Sequence, residues 1–101
     1  MKFGMTSTQF KMLEDMVITP LKSSGAKVYI FGSRVAGHQH SHSDVDLLYS
    51  LPEKKDLPAG FISNITESIE ESRFPFKVDL VNEEELALSY RERVMSERIQ
   101  V

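Results

Sequence analysis

The sequence predicts an α/β (α+β) domain, a small mixed β-sheet with helices packed on it, and three observations carry the prediction. Three short segments, KVYIF (27–31), DVDLLY (44–49) and FKVDLV (76–81), are rich in the β-branched and aromatic residues that suit a pleated, half-buried surface. The segments around them carry apolar residues at helical intervals. The order helix, strand, loop, strand, helix, strand, helix, without a repeat or an internal linker, packs most simply as helices on one sheet.

The first helix is expected over about residues 7 to 23. Thr6 followed by Gln9 has capping-box spacing, and Phe10, Leu13, Val17 and Leu21 recur at helical intervals. Pro20 should kink or shorten the final turn, and Gly25 is a natural stop. KVYIF reads as a central strand buried on both faces. In the next strand Val45 and Leu47 share one face while Asp44, Asp46 and Leu48 share the other. LPEKKDLPAG then breaks the pattern, and Phe61, Ile65 and Ile69 mark a second helix. The third strand points Phe76, Val78 and Leu80 one way and Lys77, Asp79 and Val81 the other. Asn82 with Glu85 three later is expected to cap a last helix carrying Leu86, Tyr90 and Val94. Ile99 to Val101 carries a weaker signal for a short edge strand.

Composition narrows the function classes. Hydrophobic residues make up 41% of the 101 and charged residues 27%, the balance of an ordinary globular protein. One domain spanning residues 1–101 is expected. A net charge of −3 supplies no general attraction to nucleic acid or to an anionic membrane. With no cysteine there is neither a disulfide nor a thiolate metal site. No apolar run approaches the ~20 residues of a membrane span, so the expected setting is the cytoplasm.

The chemistry concentrates in FGSRVAGHQHSHSDVDLLY, residues 31 to 49. Residues two apart on a strand project to one face, so Asp44 and Asp46 bring two carboxylates within reach of a shared cation. Like charges this close stay ionised only where a cation or a donor array compensates them. Mg²⁺ fits, because it takes hard oxygen ligands and commonly uses one or two carboxylates plus substrate phosphates. Asp79 supplies a third acid on a neighbouring strand. Three such acids outline a two-metal phosphoryl-transfer site, in which one ion activates the attacking oxygen and the other stabilises the leaving one. Gly32 permits close approach of backbone to phosphate, and Ser33 and the following N–H groups can donate to anionic oxygens. Arg34 can add a charged fork to the same phosphates. Each piece has a plainer reading on its own: Gly-Ser as a strand-to-helix turn with Ser33 as N-cap, the aspartate pair as a solvated face, Asp79 as a partner of Lys77 or Arg73.

Together, Gly32-Ser33, ten intervening residues and Asp44-Val45-Asp46 resemble the signature of nucleotidyltransferases related to DNA polymerase beta. The chain is most similar to the minimal nucleotidyltransferase (MNT) family, including antitoxins of the MntA type. The similarity runs over nearly the whole chain: a leading helix, KVYIFGSR, HSDVDLLY, and KVDLV at the place of the third acid. The resemblance implies the nucleotidyltransferase fold. It assigns Asp44, Asp46 and Asp79 as catalytic metal ligands for two Mg²⁺ ions, and Gly32, Ser33 and Arg34 as nucleotide-phosphate contacts. Family members often carry a second arginine two residues after the first, where this chain has Ala36. That difference can weaken phosphate binding or alter nucleotide choice.

The resemblance further implies transfer of AMP from ATP to a hydroxyl acceptor. MNT proteins are frequently paired with helical HEPN proteins, so the expected acceptor is a HEPN-type partner and the expected role that of the antitoxin in a toxin–antitoxin pair. The competing reading is a non-catalytic nucleotide-binding subunit that neutralises a partner by contact; modification of a small molecule such as an aminoglycoside is a third. Self-association and the acceptor stay open. His38, His40 and His42 alternate in HQHSH and read first as a solvated loop, then as nucleotide contacts, and last as a metal site. The Glu83–Glu85 run suits a helix N-terminus, and RERVMSER reads as an exposed, mixed-charge helix face on which a partner can dock.

Overall fold

The computed structural model describes residues 2–37, 43–53 and 55–101. Four strands, β1 (Lys27–Phe31), β2 (Val45–Ser50), β3 (Val78–Asn82) and β4 (Ile99–Gln100), form one sheet in the order β3-β2-β1-β4. β1 runs antiparallel to both β2 and β4, and β2 runs parallel to β3. The expected mixed sheet is therefore present, with β1 inside it and the C-terminal segment as its edge.

The first helix begins where the capping box places it. The Gln9 N–H donates to the Thr6 hydroxyl at 3.1 Å, and the Thr6 N–H donates to the Gln9 side chain at 2.9 Å. The helix runs as α1 (Ser7–Leu13), a π turn (Glu14–Ile18) and α2 (Thr19–Ser23). Pro20 does not shorten the last turn, which runs to Ser23; an adjustment to the ladder falls one turn earlier. A proline ring presses on the carbonyl four residues back and returns no N–H to it. An extra residue in the preceding turn makes room, and the Thr19 N–H reaches back five residues to Glu14. Gly25, at φ +95°, then turns the chain into β1.

Register sorts the sheet's side chains into two faces. Val28 and Ile30 pair with Tyr49 and Leu47, and Val45 and Leu47 pair with Val78 and Leu80. This face carries the main core, closed by Leu13, Val17 and Leu21 from the first helix and by Ile65 and Ile69 from α4 (Phe61–Glu70). Phe61, Ile65 and Ile69 thus lie on the inner side of α4, as their spacing requires. The opposite face holds Tyr29, Phe31, Asp46, Leu48 and Asp79. β1 is accordingly sealed on one side only, with Tyr29 and Phe31 half-buried where full burial was expected.

The C-terminal part differs most from the sequence reading. The Asn82 side chain accepts from the Glu84 N–H at 3.0 Å, but it caps a single 3-10 turn, Glu83–Glu85. The helix proper, α5 (Leu88–Glu97), starts later, so Leu86 lies outside it and Tyr90 is 62% exposed. Only Val94 of the expected apolar stripe is buried. A polar clasp holds this end: Glu83 accepts from Arg98 at 2.7 Å and from the Ser50 hydroxyl at 2.8 Å, while the Arg98 guanidinium stacks 3.9 Å over the Tyr29 ring. Burial raises the Glu83 carboxyl's proton affinity, but the hydrogen bonds from Ser50 and Arg98 and the Arg98 and Arg91 charges outweigh it and hold the group below its ordinary value.

Candidate active site

The aspartates meet through strand register. Phe31 lies opposite Asp46 on antiparallel β1, and Asp46 lies beside Asp79 on parallel β3. The three side chains form a row across one face at the strand spacing of about 4.8 Å. Asp44, exposed, precedes β2 by one residue and stands on the same side as Asp46. Lys77 closes on Asp79 at 3.7 Å, an exposed pair of the kind that contributes little to stability.

Asp46 is the group most changed by this arrangement. Burial, then the charges of Asp79 and Asp44, push its carboxyl up to about 6, against the pull of Arg34 and Lys77. Such a group is short of positive charge, the condition a bound cation relieves. Among the described residues no three His, Cys, Asp or Glu side chains make a ready metal cage. The aspartates form an open array, and that suits Mg²⁺, which retains water and takes only one or two carboxylates where phosphate oxygens complete its shell. Asp46 with Asp44 or Asp79 meets that need.

Immediately after β1 the chain enters a one-turn helix, α3 (Ser33–Ala36), which Gly37 ends in the left-handed conformation. Gly32 is its N-cap at φ +84°, and a Cβ there would collide with the Asp46 carboxylate oxygen Oδ2. Only glycine lets the backbone pass this close to the acid. Because Gly32 takes the N-cap position, the Ser33 hydroxyl is not used for capping. The first N–H groups of the turn lack intrahelical acceptors by construction.

Arg34 turns the other way. Its residue surface is 4% exposed, and its guanidinium donates from Nη2 to the Ser43 carbonyl at 2.6 Å and from Nη1 to the Phe3 carbonyl at 2.8 Å. Nε is shared between the carbonyls of Ser43 and Asp44 at 3.2 and 3.3 Å, and the group stacks 4.1 Å over Phe76. The fork expected to face phosphate instead ties the N-terminal turn to the residues that lead into β2. Burial lowers this guanidinium's proton affinity, and Asp44 and Asp46 oppose the shift. The sequence alone could not show this, because an arginine after Gly-Ser has the same spelling whether it faces phosphate or backbone.

Two further residues lie beside the loop that the sequence reading had not connected with it. Tyr90 and Arg93 of α5 line a cavity with Gly32, Ser33 and Ala36. In the sequence Tyr90 and Val94, four apart, read as the apolar stripe of the last helix and Arg93 as part of its exposed, mixed-charge face, so neither pointed to the loop. His38, His40 and His42 lie outside the described residues.

A Gly-Ser turn seated on Asp46, with Asp79 beside it on the open face of a small mixed sheet, is the geometry that the fold gives the Gly-Ser and Asp-Val-Asp motif. The chain belongs to the polymerase beta nucleotidyltransferase family, whose sequence profile matches residues 20–101. A comparison with curated proteins finds no match. Among solved structures, one described as a minimal nucleotidyltransferase superposes with a TM-score of 0.70 at 28% identity, over 96% of this chain and 97% of its own. A toxin–antitoxin structure with AMP-PNP superposes at 0.65 and 23% identity, and a variant of the toxin–antitoxin MntA-HpeT at 0.64 and 21%; each covers 86% of this chain and 70% of its own. The latter two share the fold. No helix among the described residues is long and apolar enough to cross a membrane.

Proposed function

We propose that the protein transfers AMP from ATP to a hydroxyl on a partner protein, and acts as the antitoxin of a HEPN/MNT toxin–antitoxin pair. The observation that carries the reading is the packing of Gly32 against Asp46, which sets a backbone turn with open N–H groups beside the neighbouring acids Asp46 and Asp79. In the transfer, the acceptor oxygen bonds to the α-phosphorus as the bond to the bridging oxygen of the β-phosphate breaks. Pyrophosphate leaves, and the hydroxyl proton passes to a base beside it.

Gly32 and Ser33 hold the triphosphate through the open N–H groups of α3 and the Ser33 hydroxyl. Arg34 acts behind them, fixing the Ser43–Asp44 backbone so that Asp44 and Asp46 enter β2 in one position. Asp44 and Asp46 hold Mg²⁺, with Asp79 on the acceptor side, where it can take the hydroxyl proton. Two Mg²⁺ ions held by these aspartates would supply charge neutralisation and make the acceptor hydroxyl more acidic. The toxin–antitoxin structure with AMP-PNP supports the choice of an adenine nucleotide and of a partner-linked role.

A second reading, nucleotide binding without transfer, has one observation in its favour: with Arg34 turned inward and Ala36 ending the same turn, α3 presents no cation of its own. Incubating the protein, Mg²⁺ and ATP labelled at the α-phosphate with a host lysate, beside an Asp44→Ala/Asp46→Ala double variant, separates the two. A labelled protein that requires both aspartates is the expected result. Absence of label from the wild type in the presence of its partner would establish the binding reading.

A further inference from the structure

Between the α3 turn and α5 lies a cavity of about 320 Å³, at the small end of the roughly 300–1,000 Å³ typical of small-molecule sites. Phe31, Ala36, Tyr90 and Val94 make its walls mostly apolar, and Arg93 and Glu97 stand at its rim, joined to each other at 3.1 Å. It is continuous with Gly32 and Ser33, which also line it. A phosphate finds little to bind in such walls, whereas a flat aromatic group attached to a phosphate chain finds both a surface to stack on and a tether.

The register decides which reactant this is. Across the open face the order is Phe31, Asp46, Asp79, so the cavity opens on the β1 side of Asp46, with Asp79 about 10 Å away on the β3 side. On the proposed reading, which sets the acceptor beside Asp79, the cavity lies on the donor side. We infer that the cavity between α3 and α5 holds the nucleobase of the donor triphosphate, with Tyr90 stacking on its face. This rests on the reading of Gly32 and Ser33 as the triphosphate contacts. The placement gives α5, the least buried helix of the fold, a role in selecting the nucleotide. Purines, with the larger stacking surface, are favoured over pyrimidines.

Calorimetric titration of the full chain with ATP, CTP and inorganic triphosphate, each with Mg²⁺, tests the assignment. Expected is tighter binding of ATP than of triphosphate, with CTP between them. Tyr90→Ala should weaken ATP roughly tenfold or more while leaving triphosphate unchanged, and Tyr90→Phe should bind ATP as the wild type does. Ala36→Phe, which fills the cavity from an exposed position, should likewise weaken ATP alone. ATP binding no tighter than triphosphate would overturn the base site and leave the phosphate reading intact. An equal loss of ATP and triphosphate in Tyr90→Ala, or unchanged ATP binding with impaired transfer, would also overturn it, the latter by moving the cavity to the acceptor. Failure of the wild type to bind either ligand would remove the phosphate reading and the base site together.

Discussion

The two faces of the sheet are built from the same three strands and differ most at the end that carries the aspartates, since further along the open face Leu48 is itself buried. On the closed face Val28, Ile30, Val45 and Leu47 are fully buried under the first helix and α4. On the open face, one residue further along each strand, stand Phe31, Asp46 and Asp79, half-buried and with two acids side by side. The difference shows where stability and chemistry are divided in so small a domain. One face supplies the apolar burial that holds the strands in register, and that register in turn forces together charges which would otherwise separate.

The largest effect should come from neutralising the row. Asp46→Asn is expected to lower AMP transfer by roughly a thousandfold, the several kcal/mol that a metal-binding carboxylate supplies, measured as initial rate with labelled ATP. The same variant should make the metal-free protein more stable. The Asp46 carboxyl titrates at about 6 in the folded state, above its unfolded value, so the fold binds the extra proton more tightly than the unfolded chain does. Stability contributed by that proton is present at low pH and is lost as pH rises through 6. At pH 7 the Asn variant should therefore gain about 1 kcal/mol after screening by water, a Tm increase of roughly 4–8 °C, and the gain should vanish near pH 4.

On the closed face the converse holds. Leu47→Ala, next to Asp46 in sequence and fully buried, should cost roughly 2–5 kcal/mol in denaturant unfolding, through lost burial and the cavity left behind. Arg34→Lys tests the link between the faces. A lysine cannot span the Phe3, Ser43 and Asp44 carbonyls at once, so a loss of about 2 kcal/mol is expected. Transfer should fall with little change in the affinity for inorganic triphosphate. A selective loss of triphosphate affinity would instead return Arg34 to the phosphates.

The smallest effect concerns the polar clasp. Glu83 titrates below its ordinary value when folded, so its contribution is present above the unfolded pKa and lost as pH falls through the folded one. Glu83→Gln should lower stability by about 1 kcal/mol at pH 7 and flatten its decline as the pH falls below the ordinary glutamate range.

By itself the sequence determined the elements and the chemistry they carry. Alternating apolar residues gave β2 and β3 their two faces, the Thr6–Gln9 pair set the start of the first helix, and Gly32, Ser33, Asp44, Asp46 and Asp79 were readable as a group because each needs a particular residue type at a particular spacing. Tertiary structure decided what depends on distant partners. Pro20 could be accommodated in two ways, and packing selected a π turn before it. Asn82 could cap a long helix or a short turn, and the Glu83–Arg98 clasp goes with the turn. Arg34 carried the same charge in either orientation, and only the fold, by bringing the carbonyls of Phe3 and Ser43 around it, turned that charge inward. Local spacing is written in the chain, whereas the direction of a long side chain is set by whichever acceptors the fold assembles within its reach.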